Sequence, residues 1–159
     1  MATHKLYLED FDQVDYNLIA IHTPQEDYKL AFKLNTELQI LLHKNEMEVP
    51  VTTQETVTYF SRFTFEDKEK MMVWDLIQNK QQIEVPVSTQ TVNLFENKNF
   101  TRQISLVSEL KNVDFLLKIE HDSQYKIKDI INKINKMDSI SAVYEINANE
   151  IKSKNNLIF

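Results

Sequence analysis

Apolar and polar positions alternate in several short segments of the chain, and this alternation predicts β-strands. Val14–Thr23 carries apolar residues on both of its faces, which is typical of a strand in the centre of a sheet. Thr56–Glu66 alternates and leads through a charged turn into Met71–Gln78, so this region predicts a β-hairpin. The same reasoning predicts three later strands at Thr101–Val107, Val113–Asp122 and Ser139–Ile146.

Two segments have the periodicity of amphipathic helices. The first begins at Thr23-Pro24-Gln25-Glu26, where Thr23 and Glu26 have the spacing of a capping box, and it is expected to end near Leu38. One face of this helix is predicted to hold Tyr28, Ala31, Phe32 and Asn35. The second helix, of about 14 residues, is expected to be capped by Asp122 or Ser123. Its apolar stripe is Ile127, Ile130, Ile131, Ile134 and Met137.

Residues 79–100 are rich in Asn, Gln and Thr and have few apolar positions. This composition predicts a flexible loop, with at most a short strand near Val85–Val87. The sequence has no glycine, so tight turns are expected to use Asn or Asp, as at Asn79-Lys80 and Asn97-Lys98-Asn99.

The first and the last predicted strand–helix units resemble each other. Residues 14–23 and 113–122 align without a gap, so that His22 matches His121. In both copies a helix and then an apolar segment follow the strand. We therefore predict a single α+β domain over residues 1–159: a ferredoxin-like sheet of two βαβ units, with the hairpin inserted between them.

In the expected arrangement, the first strands of the two units lie side by side and parallel. Their carboxyl ends would then bring His22, Glu26, Glu120 and His121 to one edge of the sheet, beside two helix N-termini that favour anions. A small anionic ligand could bind there, although the carboxylates oppose it. The simpler interpretation is that each histidine is a hydrogen-bonded rim residue. We expect no metal, because a metal site needs three or more convergent ligands.

Composition and charge exclude several classes of protein. Without glycine the chain cannot form a phosphate-binding loop, a dinucleotide fingerprint or a nucleophile elbow, and without cysteine it has neither disulfides nor thiolate chemistry. We therefore expect no catalytic residues, no cofactor and no enzymatic activity. No apolar run approaches 18 residues, and an acidic stretch follows Met1–Lys5, so we predict a cytoplasmic protein without a membrane span.

Two features suggest surfaces for partners. Lys126, Lys128, Lys133 and Lys136 lie mostly off the apolar stripe of the second helix. They suggest an RNA- or ribosome-binding face, yet a net charge of −6 and the lack of interleaved aromatic residues favour an ordinary solvated helix face. The apolar tail that ends in Phe159 either packs on its own domain, which is the favoured reading, or docks on a partner.

The segment Val107-Ser108-Glu109-Leu110-Lys111-Asn112-Val113-Asp114-Phe115 resembles the signature of the IPExxxVDY family. Glu109, Val113 and Asp114 match the signature, whereas Val107, Ser108 and Phe115 replace its Ile, Pro and Tyr. The resemblance extends to HKLYLEDFD near the start, to the first strand and to the start of the first helix. It implies relatives among small, uncharacterised bacterial proteins and implies no activity. Glu109 and Asp114 are expected to brace this turn by accepting backbone N–H groups.

The leading hypothesis is therefore a non-enzymatic interaction module that binds a protein partner or associates with itself through its sheet. One alternative is a small-ligand sensor at the paired strand ends, and another is an RNA- or ribosome-associated factor, with nucleic acid the less favoured partner.

Overall fold

The centre of the molecule is a six-stranded antiparallel sheet. The computed structural model describes residues 15–54, 56–85, 100–121 and 125–159. Across the sheet the strands follow the order β10 (Ala142–Ile146), β1 (Tyr16–His22), β9 (Phe115–His121), β6 (Met72–Gln78), β5 (Arg62–Asp67) and β2 (His43–Lys44).

Two helices and two further hairpins surround this sheet. The helices are α1 (Asp27–Leu38) and α2 (Ile127–Asn135). One hairpin pairs β3 (Val49–Thr52) with β4 (Val57–Phe60), and the other pairs β7 (Lys80–Val85) with β8 (Phe100–Ser105). Short 3-10 turns occur at Ser108–Leu110, Ala148–Glu150 and Lys154–Leu157.

The helices cover one face of the sheet because each presents an apolar stripe at helical spacing. Leu30, Ala31 and Leu34 of α1 are buried, and so are Ile127, Ile130 and Ile134 of α2. Their partners on the sheet include Ile19, Ile21, Trp74, Leu117 and Ile119.

The hairpins and the C-terminal segment cover the opposite face. Leu18 of β1 and Leu116 of β9 are fully buried there, against residues such as Phe60, Leu106 and Leu157. The molecule thus has three layers, and this explains why β1 and β9 carry apolar residues on both faces.

The mixed α+β class is confirmed, and β1 has a neighbouring strand on each side, as its two apolar faces predicted. Residues 57–60 of the predicted first hairpin strand instead form β4 and pair with β3. The rest of the predicted hairpin is confirmed as β5 paired with β6. In that hairpin Phe65 pairs with Trp74. The hairpin belongs to the main sheet, since β6 pairs with β9. The finer, ferredoxin-like arrangement stays a prediction.

The predicted parallel pairing of the first strands is wrong. β1 and β9 are neighbours, but they run antiparallel, with Tyr16 opposite Glu120 and Ile21 opposite Phe115. Strand direction depends on how the chain crosses between strands, and the amino-acid pattern within each strand does not record it.

The predicted loop at residues 79–100 is also wrong at its ends. Residues 80–85 and 100–105 form the β7–β8 ladder, and Asn79 is fully buried rather than part of a turn. Residues 86–99, which include the expected Asn97-Lys98-Asn99 turn, lie outside the described residues.

The start and the outer face of α1 differ from expectation. Glu26, not Thr23, occupies the N-cap position, and the Thr23 hydroxyl instead accepts from the backbone N–H of Gln25 and donates to the carbonyl of Ser139. Tyr28 and Phe32 are 56% and 72% exposed, so they lie outside the buried stripe of this helix.

Candidate functional site

A groove beside α2 has both apolar and charged walls. It has a volume of about 600 Å³ and is bounded by Leu38 at the end of α1, by Trp74 of β6 and by one flank of α2. Sites of this size are typical of small-molecule and peptide recognition.

The rim of the groove is formed by Lys126, Lys133 and Lys136, with Asp129 between them. These positions share a flank of α2, because residues three, four and seven apart lie on the same side of a helix. All three lysines are exposed. The rim therefore carries an excess of positive charge.

The floor and one end of the groove are aromatic and apolar. Trp74 and Ile130 are 3% and 4% exposed, whereas Tyr125 is 38% exposed. The ring of Tyr125 meets Trp74 edge-on, with 6.3 Å between centroids and an interplanar angle of 87°. Such T-shaped pairs are favourable, and in this position the Tyr125 ring forms a wall at the Lys126 end of the groove.

The histidines predicted to converge lie at opposite ends of the β1–β9 pair, although each is the last residue of its own strand. Because β1 and β9 are antiparallel, His22 and His121 are separated by roughly 20 Å along the strands and lie on opposite faces of the sheet. His22 Nε2 lies 3.1 Å from the hydroxyl of Tyr144, and His121 Nε2 lies 2.6 Å from Asn17 Oδ1. Both are hydrogen-bonded rim residues, as the simpler interpretation expected.

The two glutamates of that predicted site are also apart. Glu26 forms an exposed ion pair with Lys29 at 2.9 Å, and this hydrogen bond is the main cause that lowers the pKa of the Glu26 carboxyl. Glu120 lies at the other end of the sheet and pairs with Lys118. The predicted ligand site at paired strand ends is thus not formed.

The remaining predicted partner residues lie away from the groove. Lys128 is on the other flank of α2, beside a depression of about 440 Å³ that Asn17 and Glu145 also line. Phe159 packs on the opposite face of the sheet, its ring 4.2 Å from the Arg62 guanidinium carbon and 4.9 Å from Lys118 Nζ. Leu157 is fully buried, so the tail packs on its own domain.

Beneath Phe159 lies a group of buried charges. Asp75 and Lys118 face each other across β6 and β9 and are 2% and 5% exposed. Asp75 Oδ1 accepts from Arg62 Nε at 2.8 Å and from the Thr64 hydroxyl at 2.7 Å. These contacts compensate the carboxylate, because a buried charge without a partner is strongly destabilising.

Tyr16 borders the same group. Its ring lies 4.8 Å from Lys118 Nζ, and its hydroxyl is buried without a hydrogen-bond partner among the described residues. Burial, and secondarily the charge of Glu120, raise the pKa of Tyr16.

Asn79 holds together the loop formed by residues 107–115. Its side-chain amide donates to the carbonyls of Leu110 and Val113 at 2.8 and 2.9 Å and accepts from the backbone N–H of Val107 at 3.0 Å. Every polar atom of this fully buried side chain is thereby used.

Glu109 and Asp114 accept backbone N–H groups, as the sequence predicted, but from distant segments. Glu109 Oε1 accepts from the N–H groups of Lys152 and Ser153 at 2.7 and 2.9 Å, and Oε2 accepts from the Ser153 hydroxyl at 2.6 Å. Asp114 Oδ2 accepts from the N–H of Thr23 at 2.9 Å, and Oδ1 pairs with Lys80. Glu109 and Asp114 thus join separate parts of the fold.

The hydrogen bonds to Glu109 have an electrostatic consequence. They hold the pKa of its carboxyl down at about 2, with the Ser153 side chain as the largest cause. The ionised form is therefore the one that the fold stabilises.

Neither a metal cluster nor a membrane helix occurs in the part of the chain that the structure describes. No group of three or more His, Asp or Glu side chains among these residues is placed to hold a metal ion. Neither α1 nor α2 is long and apolar enough to cross a bilayer.

Sequence reasoning missed the groove and the role of Asn79. The alternation around Trp74 indicated burial but not a neighbouring cavity, and Tyr125 carried no signal of its contact with Trp74. Comparisons with protein-family models, with curated proteins and with solved structures find no significant match.

Proposed function

We propose that this protein is a non-enzymatic interaction module that binds a protein partner in the groove defined by Leu38, Trp74 and the Lys126–Lys136 flank of α2. The observation that carries the proposal is the combination of an aromatic floor with a cationic rim in one concavity. Protein interfaces favour such sites, where an apolar anchor is buried and charges at the rim select the partner.

The proposal also covers the type of fold, the family and the cellular compartment. The order β10–β1–β9–β6, with α1 and α2 on one face, supports a ferredoxin-like core within the larger sheet. The match at Glu109, Val113 and Asp114 supports a relationship to the IPExxxVDY family and hence a bacterial protein. The lack of cysteine fits a reducing compartment such as the cytoplasm.

The test is affinity purification of the tagged chain at native expression levels. We expect a protein partner to be recovered with the wild-type chain and lost with the triple variant Lys126→Glu, Lys133→Glu, Lys136→Glu. A matched control, Lys68→Glu, Lys111→Glu, Lys128→Glu, makes the same change in net charge away from the groove and is expected to retain the partner.

Two results would contradict the proposal. Recovery of the wild-type chain alone, with sedimentation showing a single copy, would mean that it binds neither a partner nor itself. Equal recovery of the partner with both triple variants would mean that the groove is not the binding surface.

A further inference from the structure

We infer that the groove recognises a short acidic polypeptide segment in which one aromatic or aliphatic side chain lies between carboxylates. This inference rests on the proposed function and specifies the chemistry of the partner. Three properties of the groove lead to it: the sign of its rim, the spacing of its lysines and the character of its floor.

The rim selects for negative charge. Three exposed lysines and one aspartate leave the groove cationic, although the whole chain has a net charge of −6. A local field opposite in sign to that of the molecule draws an acidic segment to this surface and away from the rest.

The spacing of the lysines sets the spacing of the carboxylates. At a rise of 1.5 Å per helical residue, Lys133 lies about 10 Å and Lys136 about 15 Å along α2 from Lys126. An extended segment advances about 3.3 Å per residue, so it covers these distances in about three to five residues. Carboxylates that far apart can reach both ends of the rim.

The exposed apolar surface of the groove, which is mainly that of Tyr125, favours an apolar side chain between those carboxylates. Ile130 lies between Lys126 and Lys133 on the same flank of α2, and Trp74 lies below it. The exposed ring of Tyr125 adds a wall against which an aromatic side chain can pack. A purely acidic segment would leave the exposed Tyr125 ring in contact with water and would therefore bind more weakly.

A polypeptide suits this groove better than a nucleic acid does. Asp129 stands on the rim and repels anionic groups. A nucleic acid carries a charge at every nucleotide, whereas a polypeptide can place an uncharged residue next to Asp129 and its carboxylates next to the lysines. Three lysines also neutralise few phosphates, which gives a logarithmic salt slope of only about −2 for a single strand.

Fluorescence anisotropy with labelled synthetic peptides tests the inference. The probe is a nine-residue peptide with the core Asp-Asp-Phe-Asp-Asp between serines. We expect its affinity to fall about tenfold when the phenylalanine becomes serine, and about tenfold when the four aspartates become asparagines. We expect a similar loss for the protein variant Lys126→Gln, Lys133→Gln, Lys136→Gln, and a change within about twofold for Lys128→Gln.

Several outcomes would overturn the inference. Binding that is indifferent to the phenylalanine would remove the apolar anchor, and binding unchanged in the triple lysine variant would place the peptide elsewhere. Tighter binding of an oligouridine of equal charge would make the groove a nucleic-acid surface.

The inference and the proposed function can fail separately. If none of the acidic peptides binds while a cellular partner is still lost from the Lys126→Glu, Lys133→Glu, Lys136→Glu variant, the groove binds a partner of different chemistry. If the groove variant retains its cellular partner, the proposed function itself fails.

Discussion

Asn79 shows how one polar side chain can organise a loop that has little regular structure. Its three hydrogen bonds supply partners for backbone groups of Val107, Leu110 and Val113. Val107 and Val113 are buried, like Asn79 itself, and Leu110 is partly buried. Buried backbone groups need such partners, because an unsatisfied one costs about 1–3 kcal/mol.

We therefore expect Asn79→Ala to lower the free energy of unfolding by about 3 kcal/mol or more, measured by urea denaturation. The exposed Asn135→Ala on α2 is the control and should change stability by no more than about 0.5 kcal/mol. A loss below about 1 kcal/mol for Asn79→Ala would show that the loop finds other partners.

Turn residues were predicted less well than strands. Among the described residues, positive φ angles occur at Gln39, Met71 and Ser139 rather than at Asn or Asp. Without glycine, the chain adopts the left-handed conformation where the ends of elements require it, for instance at the C-cap of α1. Local composition therefore could not locate these turns, because the surrounding structure imposes them.

At the scale of elements, the loop at residues 107–115 acts as a clamp on the C-terminal segment. Glu109 accepts hydrogen bonds from residues 152 and 153 of the C-terminal segment. In the same segment, Ile151 and Leu157 pack into the apolar layer between the sheet and the hairpins. The hydrogen bonds of one carboxylate thus help to hold a whole covering layer in place.

The clamp should make stability depend on pH. The carboxyl of Glu109 has a pKa of about 2 in the folded protein against an ordinary value of 4.5, so the unfolded chain binds the proton more readily. Its stabilising contribution is complete above about pH 5.5 and is lost as pH falls toward 2. Because Glu109 is exposed, we expect this contribution to be only about 1 kcal/mol.

Denaturation curves between pH 7 and pH 3 can measure this. Glu109→Gln should be less stable than the wild type at pH 7, and the difference should shrink toward pH 3. The exposed Glu37→Gln on α1 should keep the wild-type pH dependence. A Glu109→Gln variant with the full wild-type slope would show that other carboxylates cause the acid sensitivity.

The elements themselves were largely predictable, but their directions and contacts were not. Periodicity located β1, β6, β9 and α1, since burial on one or two faces leaves a direct trace in the sequence. It also located α2 but overestimated its length, because α2 has 9 residues rather than about 14 and its N-cap is Lys126 rather than Asp122 or Ser123. The convergence of His22 and His121 failed because it depended on the direction of two strands. The four lysines of α2 were predicted, whereas the groove that gathers three of them depends on packing between Leu38, Trp74 and Tyr125.

At the scale of the whole molecule, the layers on the two faces of the sheet should contribute comparable stability. Leu116 and Leu117 are consecutive in β9 and fully buried, yet one faces the hairpins and the other faces the helices. They form a matched pair that reports on the two layers separately.

We expect Leu116→Ala and Leu117→Ala each to destabilise the protein by about 3 kcal/mol, measured by urea denaturation followed by circular dichroism. Both variants should unfold in a single transition, because they share one strand. A loss below about 1 kcal/mol for Leu116→Ala alone would mean that the hairpin layer is not packed on the sheet in solution.

The position of β1 has a consequence for folding during synthesis. Both of its neighbours come from late in the sequence, since β9 begins roughly 100 residues after Tyr16 and β10 later still. At about 5–20 residues per second, a ribosome needs about 5–20 s to make that length of chain. During this interval Leu18 and Ile19, which the finished sheet buries completely, have no strand to pair with. The nascent chain therefore passes through a period in which the apolar residues of β1 depend on chaperones or on temporary contacts to avoid aggregation.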